Sequence, residues 1–188
     1  VKNDNNLNQK VLTAKEVLSK VNKGTDRVFY EKHIGYAIEF SHKSVELAMA
    51  KYDNKTKYLT LDSLKIGEFW VKNLPHRKLP LPTLPFKFAG LKDFKVERPY
   101  IVKVENVVEI SSSGISLPKI MTFLISDGTR HRVLLKGSND DLRQDAIMEQ
   151  VFHQVNNILG RDKSLANEQL NIRTYEVVPL GPHAGLIE

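Results

Sequence analysis

The sequence KIMTFLISDGTRHRVLLKG, residues 119–137, carries the clearest structural signal of this 188-residue chain. It holds two apolar runs, 119–125 and 131–135, on either side of the Asp-Gly pair at 127–128. An Asp-Gly pair between two such runs is typical of a tight β-hairpin, because glycine tolerates the positive φ that the turn requires. The sequence therefore predicts two antiparallel strands, the second of which ends at Lys136.

Three more runs predict strands beside this hairpin. Residues 100–110 alternate in polarity and are rich in valine, which predicts a strand before the hairpin. Residues 171–179 predict a fourth strand, and the apolar pair at 186–187 begins a fifth strand or an edge extension. We expect an antiparallel sheet of about five strands.

One long helix is expected between the third and fourth strands. Asp140 or Asp141 would cap its first turn and Gly160 would end it, so that it runs from Asp141 to about Leu159. The apolar positions of the helix recur at helical spacing, and we expect them to pack on the sheet: Ile147, Val151, Val155 and Ile158. The predicted fold class is therefore α+β.

The chain before the sheet has two compositional zones. Residues 1–65 favour helices, because apolar residues recur at helical spacing around Leu18 and Leu47. Residues 66–95 hold four of the eight prolines: Pro75, Pro80, Pro82 and Pro85. Proline lacks a backbone donor and disfavours helix interiors, which predicts an extended connector. Residues 96–188 make up the predicted sheet domain.

The composition excludes some classes of function. Twenty-eight Lys and Arg against 22 Asp and Glu give a net charge of +6, and such a surface can meet nucleic acid, acidic membranes or nucleotide phosphates. The charges are dispersed, however, which favours an ordinary solvated surface. Cysteine is absent, which excludes disulfides and thiolate chemistry, and no apolar run approaches membrane-spanning length. Because the chain starts at Val1 and stops after an apolar run, we expect a piece of a longer protein.

Three features around the end of the hairpin suggest phosphate chemistry. The small residues at 111–116 allow backbone N–H groups to approach phosphate oxygens. The ammonium of Lys136 can reach phosphates from a rigid strand. Asp140 and Asp145, at the start of the helix, can hold that ammonium in place. Each feature also has an ordinary explanation, namely a surface loop, a solvated lysine and a helix cap.

Four motifs occur in order in the second half of the chain: SLPKI at 116–120, KGSNDDLRQD at 136–145, TYEVVPL at 174–180 and GLIE at 185–188. Together they resemble the phosphatidylinositol-3-kinase-related protein kinase family, and especially its ATM-type branch with the fungal telomere-maintenance kinases. The resemblance implies a kinase small lobe over about residues 96–188. The helical first third is similar to the end of the helical-repeat (FAT) region that precedes the kinase domain.

The resemblance implies a phosphate end for an ATP site. Three loop residues would cover the phosphates: Ser112, Ser113 and Gly114. Lys136 would bind phosphate, with Asp140 as its nearest partner and Asp145 one turn further away. The segment after Lys136 is one residue longer than in the animal enzyme, which leaves open whether Asp140 or Asp141 faces the lysine. We expect the 111–116 loop to be mobile without nucleotide.

The resemblance also implies an adenine end. Three residues would line the inner pocket: Pro118, Leu134 and Tyr175. Ile187 would pack on the base, and the backbone carbonyl of Glu188 would accept a hydrogen bond from the adenine amino group. From the residues alone, Tyr175 and Ile187 are more simply interpreted as core residues. No metal ligand is assigned, because the Mg²⁺ ligands of the family belong to the large lobe.

The implied function is phosphoryl transfer from ATP to serine or threonine before glutamine, in double-strand-break signalling and telomere maintenance. The implied partners are ATP, protein substrates and, through other parts of the full-length protein, DNA ends, a break-sensor complex and a second copy. The implied location is the nucleus, including telomeres, and no membrane partner is expected. Two alternatives remain, a lipid kinase of the phosphatidylinositol 3/4-kinase superfamily and a non-catalytic basic nucleic-acid-binding module.

Overall fold

A computed structural model describes residues 26–53, 55–85, 99–112, 116–139, 141–161 and 170–188. The chain divides into two compact units, Val1–Ile38 and Glu39–Glu188. The helical spacing predicted around Leu18 lies outside the described residues. The first helix in the described residues is α1 (Asp26–Met49). The domain boundaries expected near residues 65 and 95 stay predictions.

The second unit is built on one antiparallel sheet. Its strands in the described residues are β1 (Tyr58–Thr60), β2 (Ile101–Val104), β3 (Val107–Ile110), β4 (Lys119–Ile125), β5 (Arg130–Gly137), β6 (Val177–Pro179) and β7 (Ala184–Ile187). Their order is β1-β3-β4-β5-β7-β6, and β2 pairs with the second half of β4. Helix α2 (Leu142–Leu159) follows β5. The predicted α+β class is confirmed.

The hairpin at residues 119–137 forms as predicted. Strands β4 and β5 pair from Lys119↔Leu135 to Leu124↔Arg130. Gly128 has a φ of 87°, and the backbone N–H of Thr129 donates to the carboxylate of Asp127 at 2.9 Å. The Asp-Gly turn therefore sets the register of the two strands that carry most of the site.

The strand count of five was too low, because the run at 100–110 is broken. Asn106 interrupts it: its side chain pairs with Asp62, and its carbonyl accepts the N–H of Leu61 at 2.7 Å. Strands β2 and β3 therefore lie end to end along β4. A further strand, β1, lies in the zone predicted to be helical, and β7 pairs on both sides, with β5 and β6, instead of forming an edge.

One face of the sheet is closed by a core of large side chains. Along β4 the buried positions alternate with half-buried ones, and the buried set is Lys119, Met121, Phe123 and Ile125. Trp70 packs against Phe123 with ring centroids 6.4 Å apart, and against Phe40 at 5.6 Å. Burial of these apolar surfaces is the main stabilising contribution to this unit. The opposite face stays half exposed.

The proline-rich zone is compact where the structure describes it, and the expectation of an extended connector was wrong for residues 67–77. A π-helical turn, Phe69–Asn73, leads directly into a 3-10 turn, Leu74–Arg77. Pro75 lies in the first turn of the latter, where no backbone N–H is needed for a helical hydrogen bond. Trp70 and Leu74 anchor these turns because they are fully buried.

Helix α2 has its predicted limits but not its predicted face. Asp141 is the N-cap and Gly160 the C-cap. The stripe expected to pack on the sheet is instead largely exposed in the described chain, at Ile147, Val151 and Ile158, with Val155 half-buried. The polar side of α2 instead contacts Ile172, Tyr175 and Glu176. Helical spacing identified the amphipathic helix but could not tell which of its two faces a neighbouring segment covers.

Side chains of α2 also explain why the fourth predicted strand is short. The Asn156 amide donates to the carbonyl of Ile172 and accepts its N–H, both at 2.8 Å, and the N–H of Tyr175 donates to Glu149 at 3.2 Å. Because these backbone groups bond to the helix, pairing with β7 begins only at Val177.

A buried lysine joins the end of α1 to the sheet. The ammonium of Lys119 donates to the carbonyl oxygens of Ala48 at 2.7 Å and Ala50 at 2.6 Å. It also lies 5.6 Å from the ring centre of Tyr52. A cation is favourable at a helix C-terminus, where the last carbonyls have no helical partner. Burial of the side chain lowers the pKa of Lys119.

Among the described helices, none is long and apolar enough to cross a bilayer.

Gly137 allows the end of α1 to approach β5, which gives a test of this contact. A Cβ at this position would lie 2.7 Å from the backbone oxygen of Ala48, so Gly137→Ala must displace the helix end. We expect a free energy of unfolding lower by about 1–3 kcal/mol, measured by denaturant titration of the chain. Gly181→Ala is the matched control, because a Cβ at that position would meet nothing within 4 Å. Equal stability of the two variants would contradict the close contact.

Candidate functional site

The predicted lysine and one of its predicted acidic partners meet at the start of α2. Lys136, on β5, places its ammonium 3.3 Å from Oδ2 of Asp145. The two side chains are 29% and 45% exposed, so the pair is open to solvent on one side. A pair this exposed contributes little to stability, and its value is in fixing the position of a positive charge. Asp145 was expected to lie further from the lysine, yet it is in direct contact.

Of the two acids directly before α2, only Asp141 lies in the described residues. Asp140, which was expected to be the nearest partner of Lys136, lies outside them. Asp141 faces Arg143: it accepts the backbone N–H of Arg143 at 3.0 Å and three guanidinium hydrogen bonds at 2.8, 3.1 and 2.5 Å. These hydrogen bonds lower the pKa of Asp141 to about 2. The Asp141 carboxylate is therefore engaged in capping α2 and pairing with Arg143.

The half-exposed face of the sheet carries a row of apolar side chains beside Lys136. Ile120, Leu134 and Ile187 are paired across β4, β5 and β7, so that they form neighbours in one line. Leu134 and Ile187 were predicted for an adenine pocket and Ile120 was not. The observed loop has three residues, 126–128, and places Ile120 opposite Leu134, whereas a two-residue Asp-Gly loop would have placed it opposite Leu135.

The loop between β3 and β4 is closed at its base. The N–H of Ser111 donates to the carbonyl of Pro118 at 2.8 Å, and Leu117 adopts a positive φ of 44°. Pro118 is buried and Ser112 is exposed, whereas the predicted phosphate-covering Ser113 and Gly114 lie outside the described residues. Ser116 and Lys136 both line a cavity of about 790 Å³. The loop base therefore opens toward the lysine.

Tyr175 and Glu149 lie on the side of α2 that carries Asp145. Tyr175 is 44% exposed, and burial together with the negative charges of Glu149 and Asp145 raises the pKa of its hydroxyl. Glu149 follows Asp145 by one helical turn and is buried. Sequence reasoning missed Glu149, although its spacing from Asp145 places both acids on one side of α2.

The strand that ends the chain is held by its backbone. The N–H of Glu188 donates to the carbonyl of Glu176 at 3.0 Å, while Gly185 lies opposite Lys136 in the β5–β7 register. A Cβ at Gly185 would lie 2.8 Å from the backbone oxygen of Val178.

The site combines a half-exposed apolar row, an ammonium at one end of it and a loop closed at its base. This arrangement fits a nucleotide, which has an apolar base and a charged phosphate chain. In the described ranges, no three His, Cys, Asp or Glu side chains are grouped as a metal site.

Comparison with known proteins places this arrangement in a family. Residues 132–188 match the family described as phosphatidylinositol 3- and 4-kinase. The chain is 54% identical over 186 residues to a serine/threonine-protein kinase TEL1 of Saccharomyces cerevisiae, which covers 98% of this chain and 7% of the relative. It is 61% identical over 150 residues to the TEL1 of Kluyveromyces lactis, covering 79% of this chain and 5% of the relative.

Solved structures agree with this assignment. The structure described as the FAT and kinase domain of CtTel1 has a TM-score of 0.77 at 32% identity, covering 92% of this chain and 12% of that one. The complete CtTel1 dimer with C2 symmetry has a TM-score of 0.74 at 34% identity and covers 92% of this chain and 6% of that one. The sheet and α2 are those of a kinase small lobe. The chain belongs to the phosphatidylinositol-3-kinase-related protein kinase family and is similar to its TEL1 members.

The Asp141 cap predicts a pH dependence of stability. Its folded pKa of about 2 lies below the usual 3.8, so its stabilising effect is present above about pH 4 and is lost as the pH falls toward 2. We expect the difference in thermal midpoint between wild type and Asp141→Asn to shrink over this window. Asparagine still caps the helix but does not titrate, which makes Asp141→Ala the control for loss of the cap itself. A difference that stays constant down to pH 2 would contradict the Asp141–Arg143 pairing.

Proposed function

We propose that this chain is the ATP-binding small lobe of a serine/threonine protein kinase. The observation that carries the proposal is the Lys136–Asp145 contact at one end of the apolar row Ile120, Leu134 and Ile187. An ammonium held in a fixed position beside an apolar, half-open sheet face suits a nucleotide whose base and phosphates need opposite environments.

ATP, when bound, supplies the phosphoryl group that is transferred. In this proposal Lys136 binds phosphate oxygens and Asp145, with Asp140, keeps its ammonium in place. Ser112, Ser113 and Gly114 cover the phosphates. Four side chains enclose the base, namely Pro118, Leu134, Tyr175 and Ile187, and the carbonyl of Glu188 accepts its amino group. Mg²⁺ is held by large-lobe residues of the longer protein.

A lipid kinase is the competing function, because the matched family is described by its phosphatidylinositol kinases. The TEL1 relatives, which are named serine/threonine-protein kinases, resemble this chain over 79–98% of its length and favour a protein substrate. The nucleic-acid-binding alternative rests on the net charge of +6 alone. A protein target is therefore the better supported of the three.

The wider role follows from the TEL1 relationship and belongs to the longer protein. The chain spans about 5–7% of the length of its TEL1 relatives, so substrates and partners depend on parts outside it. We propose serine or threonine before glutamine as the target, and a nuclear role in double-strand-break signalling and at telomeres. A break-sensor complex and DNA ends would act through the other parts. A homodimer is proposed by analogy with the CtTel1 dimer of C2 symmetry.

Replacement of Lys136 tests the proposed function. In the full-length protein, Lys136→Met removes the ammonium that meets the phosphates, and we expect turnover on a Ser-Gln peptide at saturating ATP to fall by on the order of 10²–10³-fold or more. Lys103→Met is the matched control, because Lys103 is an exposed lysine on β2 of the same sheet, and it should retain wild-type turnover. Near-normal turnover of Lys136→Met would refute the kinase assignment.

Replacement of the acids ranks their contributions. We expect Asp145→Ala and Asp140→Ala each to reduce turnover less than Lys136→Met does, because the ammonium remains but is held less firmly. The measurement is kcat and the ATP KM of the full-length protein, with abundance and thermal midpoint as checks on folding. An acid variant with unaltered kcat and KM would exclude that acid as a positioning group.

A further inference from the structure

A cavity of about 790 Å³ lies where the end of α1 meets the ends of β4 and β5. Of the residues that line it, the nucleotide contacts proposed above use only Lys136. Another part of its wall is formed by residues 48–52, which are the last two residues of α1 and the three that follow. A cavity of this size is within the range of sites that bind small molecules, yet its α1 side has no assigned role.

The wall of this cavity is positively charged. Among the described residues that line it, three are lysines and none is an aspartate or a glutamate. The lysines are Lys51, Lys119 and Lys136, and the wall also holds hydroxyl and amide donors at Ser116, Ser138 and Asn139. Because charges of one sign around a concave space reinforce one another, such a cavity attracts anions more strongly than a flat surface does.

Two of the three ammonium groups already have partners in the protein. Lys119 donates to two carbonyl oxygens at the end of α1, and Lys136 lies 3.3 Å from the carboxylate of Asp145. Lys51 is exposed, and it has no hydrogen bond or ion pair within the part of the chain that the structure describes. A ligand can therefore take the charge of Lys51 without displacing a contact of the described residues.

The end of α1 is compatible with an anion because its carbonyl groups are occupied. The carbonyls at a helix C-terminus carry partial negative charge, which would repel an anion. Lys119 donates to those of Ala48 at 2.7 Å and Ala50 at 2.6 Å. These hydrogen bonds offset the negative end of the helix on the side that faces the cavity.

We propose that the cavity is an anion site in which Lys51 binds a phosphate group of an oligophosphate. A chain of phosphates is favoured over a single one because the lysines lie on different parts of the wall, Lys51 after α1 and Lys136 on β5. The ligand is either the phosphate chain of a nucleotide that extends past Lys136 or a separate oligophosphate. The inference goes beyond the proposed function, because binding at Lys51 requires no phosphoryl transfer.

The test is binding of inorganic tripolyphosphate to the full-length protein, measured by calorimetric titration without Mg²⁺. We expect Lys51→Met to weaken binding roughly fivefold, because a charge-assisted contact is lost at a solvent-exposed position. Lys51→Arg keeps the charge and should stay within about twofold of wild type. Lys55→Met is the matched control, since Lys55 is also exposed but does not line the cavity, and it should bind as wild type does.

Equal affinities of Lys51→Met and Lys55→Met for tripolyphosphate would overturn the proposal, as would a wild-type protein that does not bind it. Both methionine variants should keep the thermal midpoint of wild type, because both lysines are exposed.

Titrations with nucleotides identify the source of the phosphates. If they belong to the nucleotide, Lys51→Met weakens binding of a non-hydrolysable ATP analogue more than binding of ADP, and the analogue displaces tripolyphosphate. If they belong to a separate oligophosphate, both nucleotides bind as to wild type, and tripolyphosphate binds beside the analogue. Either result supports the anion site.

Failure of this proposal is distinguishable from failure of the proposed function. Near-normal turnover of Lys136→Met refutes the kinase assignment and leaves the anion site standing if Lys51→Met still weakens tripolyphosphate binding. Inactive Lys136→Met together with unchanged tripolyphosphate binding in Lys51→Met refutes the anion site alone.

Discussion

The ammonium of Lys119 fixes how the end of α1 meets the sheet. This lysine is 2% exposed, and its charge is tolerated because two carbonyl oxygens at the end of α1, those of Ala48 and Ala50, accept its hydrogen bonds. Without the lysine those carbonyls would be left without this charged donor inside the molecule, at the negative end of a helix. Gly137 leaves the necessary space on the adjacent strand. The contact couples the start of β4, and hence the base of the 111–118 loop, to the helix.

That contact helps to give the sheet two different faces. The face that includes Lys119 and Phe123 is closed by α1 and by the aromatic cluster around Trp70. The other face carries Ile120, Leu134 and Lys136 and remains half exposed. Alternation along each strand makes this division unavoidable once one face is buried, because neighbouring side chains point in opposite directions. The proposed nucleotide contacts follow from the open face.

Helix α2 shows how polar side chains define the edge of that open face. Its acids and amide serve three different partners: Asp145 contacts Lys136, Glu149 holds Tyr175, and Asn156 holds Ile172. Glu149 and Asn156 bond to backbone groups that a regular strand would pair with its neighbour. All three polar side chains occupy helix positions where apolar residues could otherwise pack. The apolar stripe through Ile147 and Val151 is consequently left exposed in the described chain.

By itself the sequence determined the elements whose signals are local. The Asp-Gly pair located the β4–β5 hairpin, Asp141 and Gly160 bounded α2, and four short motifs identified the family, because each depends on residues close together in the chain. Only the tertiary structure decided which face of α2 is covered, that residues 67–77 are compact, and that Asn106 splits the first run. It also brought Glu149 to Tyr175, 26 residues away. These outcomes depend on partners distant in sequence, whose burial and hydrogen bonds outweigh local propensity.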